Sequence, residues 1–181
     1  MTLITEDIKA KAEIFYGAEI CGEKAKELLA EMKLPNGLLP VDSIDECGYV
    51  RESGFFWFKR QMKKEFKFKS TGKLISYARE VSGYAETNKI KKLSGVKSKE
   101  LSLWISVHEI NVHDPPNGKI TFKASAGLTK TFSVSAFEIS DGELGEEVKD
   151  LDEQDVEEED LEQEVKAEEL KHEVQVNEVK A

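Results

Sequence analysis

A chain of 181 residues, 39% hydrophobic and 34% charged, fits one soluble globular domain, or one domain with an appendage. No stretch approaches the roughly 20 apolar residues of a membrane-spanning helix, which excludes a transmembrane protein of that kind. The net charge of −10 is unevenly held: residues 1–140 carry 22 Lys and Arg against 18 Asp and Glu, net +4, whereas residues 141–181 carry 4 against 18, net −14.

Glu6, Asp7 and Glu13 interrupt the apolar residues of the N-terminus, so it does not read as a secretory signal. The expected location is cytoplasmic, where Cys21 and Cys47 are free thiols. Thr5 is the predicted cap of a first helix whose apolar residues Ile8, Ala12 and Phe15 recur at helical spacing as far as Tyr16. Gly17 ends it. A second helix is predicted from Ala18 to Lys33, with Ala25, Leu28, Leu29 and Met32 on its apolar stripe, and Pro35 and Gly37 stop it.

Beyond Pro40 the pattern becomes alternating. Tyr49-Val50 and Phe55–Arg60 read as a hairpin about Ser53-Gly54, followed by a strand over Lys64–Lys69 with Phe66 and Phe68 on one face. Lys73–Tyr84 is a long strand, and a short one runs through Ile90 and Leu93. Residues 94–99 read as a polar connection. Leu101, Leu103, Ile105 and Val107 share one parity while Ile110 and Val112 share the other, which predicts a bulge near His108 and Glu109. The turn Asp114–Gly118 leads to strands over Lys119–Lys123 and Leu128–Val134, and the pattern ends at Phe137.

Some seven or eight strands joined by loops too short for crossover helices predict a mainly β fold, an antiparallel meander closed or curled into a barrel-like sheet. The expected organisation is an N-terminal helical segment over 1–40 packing on a barrel-like domain over 41–140, one folding unit. An acidic, mostly disordered tail over 141–181 follows.

The blocks GLLP, ECGYVRESGFFWFK, ISYAREVSGY, KIKKLSGVKSKELSLWISVHEI and GKITFKASAGLTKTFSVSAFE resemble the plant-specific domain of unknown function 538 family over roughly residues 12–138. The resemblance implies a β-rich, barrel-like fold with a helical N-terminus, a plant source and a part in stress and developmental responses. It also implies two biochemical expectations: lipid binding akin to that of the bactericidal permeability-increasing proteins, and an esterase acting on pigment or cell-wall esters. Many members of the family begin with a secretory signal, and this chain reads as departing from them.

Catalytic signals are sparse. No G-x-S-x-G elbow occurs, and His108 and His113, the latter beside Asp114, are bases in principle and ordinary hydrogen-bonded side chains by default. Neither a metal-ligand spacing nor a phosphate-cradling loop is present, so no metal or cofactor is expected. Lysines interleave with Phe56, Trp57, Phe58, Phe66 and Phe68, but alternation alone explains the arrangement, with aromatics inside and lysines outside, and nucleic acid is not an expected partner. The candidate ligand-binding residues are Tyr77, Arg79 and Glu109, because Arg79 and Glu109 carry charge at core parity. Either they pair at the barrel mouth or line a cavity beside Tyr77, or each sits past a bulge and faces solvent. The expected function is a monomeric, non-enzymatic barrel holding a small apolar or amphipathic ligand such as a lipid or pigment. The alternatives are a protein-interaction module acting through its surface and acidic tail, and an esterase.

Overall fold

The computed structural model describes residues 3–139 together with the backbone of Gly145–Leu151. Helix α1, Glu6–Lys11, starts where Thr5 Oγ1 accepts from Ile8 N at 3.3 Å and places Glu6 and Asp7 in its first turn, against the positive end of the helix dipole. It stops one turn earlier than the spacing predicts. Ile14, Phe15 and Tyr16 suit a pleated surface, and Glu13–Tyr16 forms strand β1, antiparallel to β2, Glu46–Val50. Gly17, at φ 98°, turns the chain into helix α2, Ala18–Glu31, which buries Cys21, Gly22, Ala25, Leu28 and Leu29.

Strands β3 (Phe55–Lys59), β4 (Lys63–Phe68), β5 (Leu74–Glu86), β6 (Lys89–Glu100), β7 (Leu103–Val112), β8 (Lys119–Ala124) and β9 (Thr129–Ser133) continue the sheet. Neighbours run β1-β2-β3-β5-β6-β7-β8-β9, with β4 sharing the same edge of β5 beyond β3. Every pairing is antiparallel, as the short loops require. A tenth strand, β10, Gly145–Leu151, pairs with β4. That strand lies past the boundary expected at Ser140, and its register sets Glu146 opposite Lys67, Lys149 opposite Glu65 and Asp150 opposite Lys64. The expected disorder of the tail falls otherwise outside the described residues.

Two sequence expectations need correction. The sheet does not close into a barrel: β1 and β9 end the hydrogen-bonded path, and no ladder joins them among the described residues. The concave side is filled instead by α2 and the segment after it, whose Leu28, Leu29, Leu34, Leu38 and Leu39 share one cluster with Phe58, Phe68, Tyr77, Val96, Ile110 and Phe137. Asn36 fastens that segment to the residues after β9, accepting from Ile139 N at 2.5 Å, while Gly37 N donates to Phe137 O at 2.8 Å. The other correction concerns residues 94–99, which belong to β6. Their polarity hides a strand because Val96 and Ser98 turn inward between solvent-side lysines, and Gly95, at φ 86°, sits against a bulge where an added Cβ would lie 2.3 Å from Glu80 O.

Strand β3 shows why four consecutive aromatics can all be buried. Phe56 and Phe58 face the main cluster, whereas Phe55 and Trp57 face a second one with Ile4 and Val50, covered by Ile8 and Ala12 around α1. The expected one-sided arrangement of this strand is therefore two-sided. Gly48 lies directly opposite Trp57, and a Cβ there would fall 2.1 Å from the indole. Trp57 Nε1 donates to Glu46 Oε1 at 2.9 Å, which satisfies the one polar atom of the buried ring.

Candidate functional site

The concave face between β4 and β9 holds a partly open cavity of about 40 Å³. The 3-10 turn Val134–Phe137 after β9 carries Phe137 onto that face, where its ring centroid lies 5.1 Å from that of Phe68, 5.0 Å from Phe122 and 6.0 Å from Phe132. These separations are those of tilted and edge-on aromatic packing. Val96, Val107 and Ile110 complete an apolar wall, and Leu38 and Leu39 bring in the segment that follows α2.

Polar side chains gather at the end of the cavity formed by the β4–β5, β6–β7 and β8–β9 connections. Lys73 Nζ meets Glu100 Oε2 at 2.7 Å, and Ser98 Oγ donates to Glu100 Oε1 at 3.1 Å. Lys130, exposed on β9, completes this rim. The cavity thus has an apolar interior with two cations and one engaged carboxylate at its mouth. The volume exceeds what one water needs and falls far below the several hundred Å³ of a pocket that encloses a whole drug-sized ligand. The cavity in this form is therefore too small to enclose a whole ligand of that size.

Of the three residues expected at a ligand site, Tyr77 alone reaches the cavity. It is buried, its hydroxyl donates to Leu38 O at 3.3 Å, and burial pushes its phenol well above the ordinary tyrosine range. Arg79 is exposed on a bulge, since the β5–β6 register shifts between Tyr77 and Ser82. Its carbonyl accepts from Arg60 N at 2.9 Å. Glu109 follows the β7–β8 register shift between Val107 and Glu109, where the parity change predicts a bulge. It forms ion pairs with Lys123 at 3.0 Å and Lys89 at 3.3 Å, and the Lys123 hydrogen bond outweighs partial desolvation to hold its carboxyl below the usual range. Of the two readings of these charges, the one in which each lies past a bulge describes their positions.

The arginine near Tyr77 is Arg60, not Arg79. Arg60 is buried after β3, donates to Pro40 O at 2.8 Å, and acts electrostatically on both Tyr77 and Asp42. Burial alone would raise the Asp42 carboxyl, but its bond to Lys64, at 2.5 Å, and the neighbouring cations bring it below the carboxylate range. The rim residues Lys73, Glu100 and Lys130 carry no sequence signal beyond charges near turns, which any solvated hairpin shows.

Among the described residues, His108 and His113 do not assemble a hydrolytic site. His108 is exposed. The His113 ring nitrogens meet Thr121 Oγ1 at 2.7 Å and Asn117 Nδ2 at 3.1 Å, a hydroxyl beside a base in outline. Thr121 Oγ1, however, also meets Thr131 Oγ1 at 2.9 Å, and it stands on the side of β8 opposite the cavity-lining Phe122 and Ala124. No group of three or more His, Cys, Asp and Glu that could hold a metal ion occurs among the described residues, and none of their helices is long and apolar enough to cross a membrane.

Fold and site together define an open antiparallel sheet whose hollow is filled by a helix and an aromatic cluster and vented at a charged rim. Residues 25–138 match the family model described as "Protein of unknown function, DUF538", and the chain belongs to that family. No curated protein and no solved structure matches it.

Proposed function

We propose that the protein binds a small amphipathic molecule, placing an apolar end among Phe122, Phe132 and Phe137 and an anionic head between Lys73 and Lys130. The observation that carries this reading is the coincidence of an apolar cavity with a lysine-bearing rim at its mouth. Glu100 pairs with Lys73, so an anionic head competes with an existing ion pair and gains most from Lys130. A fatty acid or an acidic pigment has the required chemistry. A part in plant stress or developmental responses is the wider setting that family membership suggests for such a carrier.

The test uses the full chain with a pyrene-labelled medium-chain fatty acid, read by fluorescence, alongside native mass spectrometry of protein from its own tissue. Val96→Trp, which fills the cavity, is expected to abolish binding, and Lys130→Glu to weaken it about tenfold, the effect of losing one charge-assisted contact. Saturable binding that survives Val96→Trp in a folded protein, or no binding by the parent chain, sinks the reading.

A further inference from the structure

Cys21 lies on the buried stripe of α2 and Cys47 in the middle of β2, and both belong to the main interior cluster. The β1–β2 register sets Phe15 directly opposite Cys47, and Cys21 Sγ donates to the same Phe15 carbonyl at 3.3 Å. Two thiols from different elements thus converge on one backbone group, and Cys21 acts electrostatically on Cys47. A disulfide requires this mutual approach, and most cysteine pairs in a fold lack it. A separate observation supplies access: a cavity of about 60 Å³ between α2 and the β1–β2 strands has Cys47 and Phe15 in its lining, with Lys24, Glu27 and Arg51 also around it.

We propose that Cys21 and Cys47 are a cross-link site, closing to a reversible intramolecular disulfide that staples α2 to β2 when the protein meets a low-molecular-weight disulfide such as oxidised glutathione. One cysteine thiolate attacks the small disulfide, forming a mixed disulfide and releasing one small thiol. The second cysteine then displaces the other small thiol. Two protein S–H bonds become one S–S bond, the S–S bond of the oxidant becomes two S–H bonds, and two electrons pass from the cysteines to the oxidant. The closed loop runs from α2 through the Leu34–Val41 segment that floors the cavity to β2. The cross-link therefore restrains the unfolded chain and the element that plugs the sheet in one step.

Burial, reinforced by the contact with Cys21, pushes the Cys47 thiol up to about 12, so attack from the folded state is slow at neutral pH and quickens as pH rises. The experiment incubates the reduced full chain with oxidised glutathione at alkaline pH and, in parallel, refolds it from denaturant in the same buffer. The expected product has lost two hydrogens by intact mass and yields a Cys21–Cys47 linked peptide on a non-reducing map. Its thermal midpoint stands about 5–15 °C above the reduced form, a gain that dithiothreitol reverses. Cys47→Ser is expected to show neither the linked peptide nor the gain. Thiols left free or held only as glutathione adducts after oxidative refolding would overturn the proposal, as would a linked form melting no higher than the reduced one.

Discussion

The sheet is packed unequally along its length. From β1 to β3 it is covered on both faces, by α2 within and by α1 without, and Trp57 and Phe56 on adjacent positions are each shut from solvent. From β7 to β9 the described residues cover it on one face alone, the β9 residues other than Phe132 are exposed, and the aromatic cluster leaves a cavity. Burial on two faces removes more apolar area from water per strand, so the first region is expected to hold most of the stability. The second can lose a ring contact or open locally at lower cost, and the proposed ligand site lies there.

The strongest way to break that comparison is to hollow out each half in turn. Trp57→Ala removes a fully buried ring and is expected to cost about 3–5 kcal/mol, whereas Phe132→Ala, on the half-buried edge, is expected to cost roughly 1–2 kcal/mol. Chemical denaturation of both variants measures the difference, and equal losses would mean the two halves are equally tight. A smaller effect of opposite geometry comes from Gly48→Ala. The added methyl meets the Trp57 indole at 2.1 Å, across a directly paired position where neither strand has room to yield, and the expected loss is about 1–3 kcal/mol. The substitution should shift the fluorescence of Trp57 while leaving binding at the rim of the other half unchanged.

How much of this was legible in the sequence depended on whether a residue's periodicity and its partner lay close together. Strands β4, β8 and β9 were readable because Phe, Ile and Val alternate with Lys and Thr, β3 and β5 because runs rich in aromatic and β-branched residues lie between turns, and the β7 bulge was readable from the parity change alone. Strand β1 was not, since Ile8, Ala12 and Phe15 keep helical spacing and only the distant β2 ladder draws Glu13–Tyr16 into the sheet. The second half of β6 was hidden by its lysines, and Leu101, which fits the alternation of β7, is instead the exposed tip of the hairpin at φ 58°. The burial of Tyr77 follows from a large aromatic at core parity. For Arg79 parity alone left two positions open, the core face and the solvent side of a bulge, because a bulge in β5 leaves no mark in composition, and the family resemblance said nothing about individual side chains.

The gentlest way to sharpen the comparison is at Glu109, which ties β6, β7 and β8 together on the solvent side through Lys89 and Lys123. Among the described residues no second layer packs on these three strands there, so the charged cluster stands where α1 stands in the other half. Its partners are partly exposed, and solvent and salt screen the attraction; Glu109→Gln is expected to cost under about 1 kcal/mol at neutral pH and low salt. The carboxyl ionises more readily folded than unfolded, so its contribution is present above the unfolded glutamate value of about 4.3 and lost as pH falls through the lower folded one. Stability curves of the parent and Glu109→Gln should therefore run apart near pH 7 and converge below about pH 4. A gap that persisted into acid would show that Glu109 acts through packing rather than charge, and that the thin half is held by something other than its surface ions.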